Sequence, residues 1–198
     1  RSTQDQGSCK VVVLWYHSSM EKQHVPAREN PVSVENIRQK RDASVSEMNA
    51  LLAEMWAAGP KMYEFSEQTV LPRARELLAD PELQDDKTFG LFMVHSLGDF
   101  LSNLSERLKD DPEIVHVAVR RNCESFRFAS ERLRDDEEFI LGLWKEINHL
   151  VSPEKGMVIR NLSPRLARDV DFARKMLAIG GSASDFPKET QQALKHPA

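Results

Sequence analysis

Two stretches of ten residues are nearly identical. Ser105–Ile114 reads SERLKDDPEI and Ser130–Phe139 reads SERLRDDEEF, 25 positions apart. A recurrence of that length restricts the chain to folds assembled from tandem copies of one small unit. Aligned from Asp85, the first unit is DDKTFGLFMVHSLGDFLSNLSERLK (85–109) and the second is DDPEIVHVAVRRNCESFRFASERLR (110–134). A third opens DDEEFILGLWKEINHLV at 135. The next echo, SPRLARD, begins at Ser163, later than the spacing of Ser105 and Ser130 would place it. The third unit therefore carries an insertion of eight, which SPEKGMVI (152–159) can supply. A fourth unit opens RDVDFARKML at 168. Upstream, ARELLADPEL (74–83) reads as a degenerate cousin out of phase with the others.

The chemistry of one unit predicts paired helices. Asp111 is placed to cap a helix, Pro112 to open it, and Glu113 to meet the positive end of its macrodipole. Asp136, Glu137 and Glu138 repeat this one unit later. Ile114, Val117 and Ala118 point inward, and Asn122 or Cys123 breaks the helix. A second helix is then expected to carry Phe126, Ala129 and Leu133 on one face. It ends in Arg132 and Arg134, as the previous one ends in Arg107 and Lys109. The repeated ten residues are thus a helix-stop, turn and helix-start cassette. A single hairpin this short cannot bury its own apolar faces, so stacked neighbours must share a core. The expected core includes Leu108, Ile114, Phe126, Leu133, Phe139 and Leu166, with Trp144 at the position of Val94 and Val119.

The block ASERLRDD with an apolar helix after it resembles a helical repeat family catalogued as domain of unknown function 4116. The resemblance spans about Asp85–Leu177 and is best over Asp110–Leu133 and Asp135–Trp144. It implies short paired helices in tandem and supplies no catalytic residue. The family occurs in bacterial effectors and in protist proteins.

Outside the units the pattern changes. Residues 1–31 read as an extended arm, in which KVVVLWY (Lys10–Tyr16) has the β-branched and aromatic character of a strand. No second strand is available to pair with it. Val11, Val13, Trp15 and Tyr16 are therefore candidate partner-binding residues. Residues 32–84 form a helical N-terminal part. In it Met48, Leu51, Leu52, Met55 and Trp56 share one helix face, with Ser44 or Ser46 as cap and Gly59-Pro60 as stop. Pro72 divides the next helical stretch or opens a new helix. The repeat region runs over 85–179, Gly180-Gly181 stops its last helix, and 180–198 reads as a C-terminal tail. The fold expected is all-α: tandem antiparallel helical hairpins, solenoid-like, with an extended N-terminal arm.

Motifs that would carry a reaction are missing from the pattern. None of the histidines (17, 24, 95, 116, 149 and 196) stands in HxxxH, HExxH or a Cys/His ligand spacing, and Cys9 and Cys123 make no CxxC. The pairs Asp85-Asp86, Asp110-Asp111 and Asp135-Asp136 could be imagined as catalytic carboxylates, but three equivalent pairs at helix starts read as caps. A net charge of −4 argues against a general nucleic-acid binder. No apolar run approaches the roughly 18 residues that span a membrane.

The expectation is a non-catalytic accessory or scaffold subunit. It would bind other protein subunits, with no cofactor, metal or nucleic acid. Its setting would be an organelle interior, in a photosynthetic or respiratory complex with peripheral membrane contact, rather than the cytoplasm. The alternative is an interaction module of a bacterial effector-type or multidomain enzyme. Arg1 as first residue fits a processed or a trimmed N-terminus.

Overall fold

The computed structural model describes residues 31–147 and 155–195. Among these residues every regular element is helical and no strand occurs. The expected strand at Lys10–Tyr16, with Val11, Val13, Trp15 and Tyr16, lies outside the described residues. Contacts divide the chain into two compact units: residues up to Ser96 with Asn103–Ser105, and Leu97–Ser102 with Glu106 onward. The division therefore falls inside the 85–109 sequence unit.

The first unit is organised by one long helix, α1 (Pro31–Ala57). Val45, Met48, Leu52 and Met55 form its buried stripe, while Trp56, expected among them, is 49% exposed. Trp56 stands at the stripe's edge in the last turn, just before the chain reverses at Gly59. The positive φ of Gly59 is a conformation open to glycine and strained for other residues. α2 (Met62–Phe65), a π turn (Ser66–Val70) and α3 (Leu71–Leu77) follow without a break. The π turn has a cause. Pro72, in the first turn of α3, lacks an N–H and would press on the carbonyl four residues back. The wider turn, closed by the Leu71 N–H on the Ser66 carbonyl, makes room for it. α4 (Pro81–Gln84) and α5 (Lys87–Ser96) then pack on α1.

The second unit runs through α6 (Glu106–Lys109), α7 (Pro112–Arg121), α8 (Glu131–Arg134), α9 (Glu137–Ile147), α10 (Gly156–Arg160), α11 (Pro164–Arg168), α12 (Val170–Ala178) and α13 (Lys188–Leu194). The expected helix carrying Phe126, Ala129 and Leu133 is not continuous. It is a 3₁₀ segment (Cys123–Phe128), a break at Ala129 in extended conformation, and then α8. The cause is local: Asn122 leaves helical geometry at φ −146° and ψ 110°, and its side chain accepts from the Glu124 N–H. The three apolar side chains are nevertheless all buried. The 3₁₀ segment packs on α7 and on α10. Five of the six expected core residues are buried, and Phe139 is half-buried. Trp144 is buried, and its indole N–H donates to the Ile179 carbonyl at 3.2 Å. The segment read as a tail contains α13, which packs on α11 and α12.

Four cassettes share one local plan: α4, α6, α8 and α11 each end in a residue or turn followed by an aspartate that caps the next helix. Asp86 accepts from the Phe89 N–H at 2.7 Å. Asp111 accepts from Glu113 and Ile114, at 2.9 and 3.3 Å. Asp136 accepts from Phe139 at 3.0 Å, and Asp169 from Asp171 and Phe172 at 2.9 and 3.0 Å. The leucine of each cassette, at 83, 108, 133 and 166, is buried. The earliest cassette, DPELQDD at 80–86, precedes the one at Ser105 by the same interval that separates Ser105 from Ser130, so it is in phase with the others. Reading ARELLADPEL as out of phase was wrong, because Asp80 takes the capping place that serine holds elsewhere.

Candidate functional site

A second set of bonds joins each cassette to the one before it. The Ser105 N–H donates to the Gln84 carbonyl at 3.1 Å, Ser130 to Lys109 at 3.0 Å, and Ser163 to Arg134 at 2.9 Å. The hydroxyls of the same serines donate to Asp85, Asp110 and Asp135. Ser130 and Ser163 also accept from the Leu133 and Leu166 N–H groups. Two arginines complete the junctions. Arg132 Nε lies 2.9 and 3.0 Å from the Asp110 carboxylate oxygens, and its Nη2 is 2.9 Å from the Asp110 carbonyl. Arg165 holds Asp135 by the same three contacts, at 2.9, 2.8 and 2.9 Å.

This arrangement gives the two aspartates of each pair different structural roles. The second aspartate of each pair is a cap, as expected. The first is a tie to the next cassette, a role that reading both as caps missed. The Ser130 hydroxyl and then the Arg132 guanidinium hold the Asp110 carboxyl below the usual carboxylate range. Ser163 and then Arg165 do the same for Asp135. Carboxylates held ionised in this way are poor proton donors. Among the described residues no group of three or more His, Cys, Asp or Glu side chains could hold a metal ion.

The choice of capping residue follows charge. Serine, a donor, stands wherever a carboxylate lies behind it. Behind Asp80 the sequence offers Pro60 at the equivalent distance, and Asp80 instead pairs with Lys40 of α1, which also holds Glu82 at 2.7 Å. At the other end Arg168 replaces the tying aspartate. There the Ala167 carbonyl, equivalent to those of Gln84, Lys109 and Arg134, accepts from the Thr190 hydroxyl of α13 at 2.8 Å. Thr190 is buried.

Among the described residues, an exposed aromatic pair and a groove are open to solvent. In the first unit, Trp56 and Tyr63 are large aromatics exposed by 49% and 77%. In the second unit, α7 and α9 border an open groove of about 530 Å³. Its floor is Pro112, Phe139 and Leu143, and glutamates 113, 138 and 146 line it. His116 sits in this groove with Nε2 2.8 Å from Glu146. Neither surface was legible as a site in the sequence, because exposure depends on what fails to pack over a side chain.

These features define the class: among the described residues the protein is all-helical, and its repeated helix junctions carry a serine–aspartate tie. Within it, residues 111–142, from the cap of α7 to the middle of α9, match the family model described as a domain of unknown function (DUF4116). No curated protein and no solved structure matches the chain. No described helix is long and apolar enough to cross a membrane.

Proposed function

We propose that the protein is a non-catalytic scaffold or accessory subunit, a tandem array of helical hairpins that binds other protein subunits. The observation that carries this reading is the tie repeated at Ser105, Ser130 and Ser163. Each copy joins one cassette to its predecessor by the same backbone bond and hydroxyl bond. An array built in this way gains length by adding units, and its outer faces are free to vary. Arg168 and Thr190 fit an end cap, since the last junction uses a side chain of α13 in place of another cassette. The exposed Trp56 and Tyr63 support the partner-binding part, because aromatics of this size are favoured anchors at interfaces. The partners would be subunits of a larger assembly, with an organellar complex as the setting.

The test is the size and company of the full chain taken from its native source. The expected result is a particle well above the mass of a single copy of the chain, with partner proteins in fixed proportion. Trp56→Ala with Tyr63→Ala should reduce that association while leaving the helical circular dichroism intact. A chain recovered only as a monomer, with no stoichiometric partner under cross-linking, would overturn the reading.

A further inference from the structure

Gly142 stands inside α9 where the fold gives no reason for glycine. Its φ is not positive. A Cβ built on it would meet no atom within 4 Å. Glycine in a helix interior weakens the helix relative to alanine, so this position carries a cost that no contact of the residue accounts for. Gly142 lines the groove between α7 and α9, beside Phe139 and Leu143. It leaves a strip of bare backbone along an apolar floor.

Acidic side chains predominate around that floor. Glu113, Glu138 and Glu146 line the groove together with the capping Asp136. Glu146 lies 2.8 Å from the His116 ring and 3.9 Å from the Arg120 guanidinium. Glu138 is exposed and pairs with no cation among the described residues. The groove therefore complements an occupant that is apolar at its centre and positive at its flanks. We infer that it docks a cationic amphipathic segment of a partner protein. An apolar side chain would rest on Phe139 and Leu143 beside Gly142, with lysines or arginines opposite Glu138 and Glu146. This deepens the scaffold reading, on which it rests, by naming the chemistry of one partner.

The probe is a synthetic helical peptide with leucines at three- and four-residue spacing flanked by lysines. Its counterpart carries glutamate in place of lysine. Calorimetric titration of the full chain should show saturable binding of the lysine peptide and none of the glutamate one. Glu138→Lys with Glu146→Lys should weaken binding at least about tenfold, as loss of complementary charge at an interface does. Gly142→Trp should block it by filling the floor, and the open space around the Cβ lets that variant fold. Reversing exposed acids elsewhere in the same unit, Glu131→Lys with Glu189→Lys, should leave affinity within about twofold, as scattered surface charges are screened. Failure of the lysine peptide to bind overturns the inference, as does equal loss in both reversals. So does a homodimer that only the groove variants dissociate, since the occupant would then be a second copy. Co-purification separates the two levels. Native partners retained by both groove variants sink the groove and leave the scaffold reading standing. A wild-type chain with no native partner sinks the scaffold reading itself.

Discussion

Arg132 grips Asp110 three times: Nε reaches both carboxylate oxygens at 2.9 and 3.0 Å, and Nη2 reaches the main-chain carbonyl at 2.9 Å. Two different nitrogens of one rigid fork bind two different groups of one residue. A lysine ammonium is a single point and cannot span both. The pair is substantially exposed, with side-chain exposures of 57% and 40%. Screening therefore limits its stability contribution to about 0.5–1 kcal/mol. Arg132→Lys should lose most of that, close to the loss from Arg132→Ala, in urea unfolding. Full retention of stability by the lysine variant would show that simple charge, and not the fork, makes the junction.

Ser130 has two duties at once, donating to Asp110 and accepting from the Leu133 N–H. Ser130→Ala removes a helix cap and a junction bond together, and should cost about 1–2 kcal/mol. Ser130→Thr keeps the hydroxyl and should cost less. Ser130→Asp is the informative variant. Aspartate caps well at Asp80, where Lys40 meets it, but at 130 it would face the Asp110 carboxylate. It should therefore be less stable than Ser130→Ala at neutral pH and recover as the pH is lowered. A Ser130→Asp protein as stable as wild type at neutral pH would refute the charge rule for the cap.

The ties also give the protein an acid limit. Asp110 and Asp135 are held below their ordinary values by serine and then arginine, and Asp80 and Glu47 by Lys40 and Arg73 respectively. For a carboxyl whose value is lowered on folding, the unfolded chain takes up the proton first. Its contribution is complete above the unfolded value and is lost as pH falls through the folded one. Stability should hold from neutral pH to the ordinary carboxylate range near about 4 and decline below it. Asp110→Asn with Asp135→Asn should be less stable at pH 7 and show a shallower decline. Urea midpoints taken across the acid range measure both, and parallel curves for the two proteins would remove the ties from the account.

How far the sequence could be read depended on whether the controlling interaction was local. Caps were legible, since Asp111 bonds residues two and three ahead and the pair D-P announces it. The buried faces of α7 and α9 were legible in part: Ile114, Ala118 and Trp144 are buried, but Val117, read as inward, is half-buried like Phe139, and Val115 is buried instead. The broken second helix was not, because Asn122 uses its side chain to stop one turn and start another, and the apolar spacing of Phe126, Ala129 and Leu133 suits either path. The ties could have been found. Ser-x-Arg recurs at 130 and 163 at a fixed place in the cassette, and Asp85 precedes Ser105 by the same interval as Asp110 precedes Ser130. Reading both aspartates as caps concealed it. The phase of the 80–86 cassette is hidden for a related reason: serine marks the later cassettes, while the physical requirement is any side-chain acceptor at the helix start, which Asp80 meets. The groove needed three dimensions, because Glu146 and His116 meet across it from separate helices.

Phe126 and Phe139 test whether the core is placed correctly. Both were expected inside, but Phe126 is fully buried while Phe139 lies half-open on the groove floor. Phe126 belongs to the 3₁₀ segment that contacts both α7 and α10. Its ring is therefore enclosed by residues far apart in the chain, and truncation leaves a hole that short, capped helices cannot easily close. Phe126→Ala should cost about 3–5 kcal/mol through lost burial and the cavity left behind. Phe139→Ala gives up only the covered part of its ring and opens to solvent, so it should cost about 1–2 kcal/mol. Chemical unfolding of the two variants beside wild type measures the difference. Equal losses would place Phe139 in a closed core and remove the groove floor, while a loss under about 1 kcal/mol for Phe126→Ala would mean that its helical segment packs some other way.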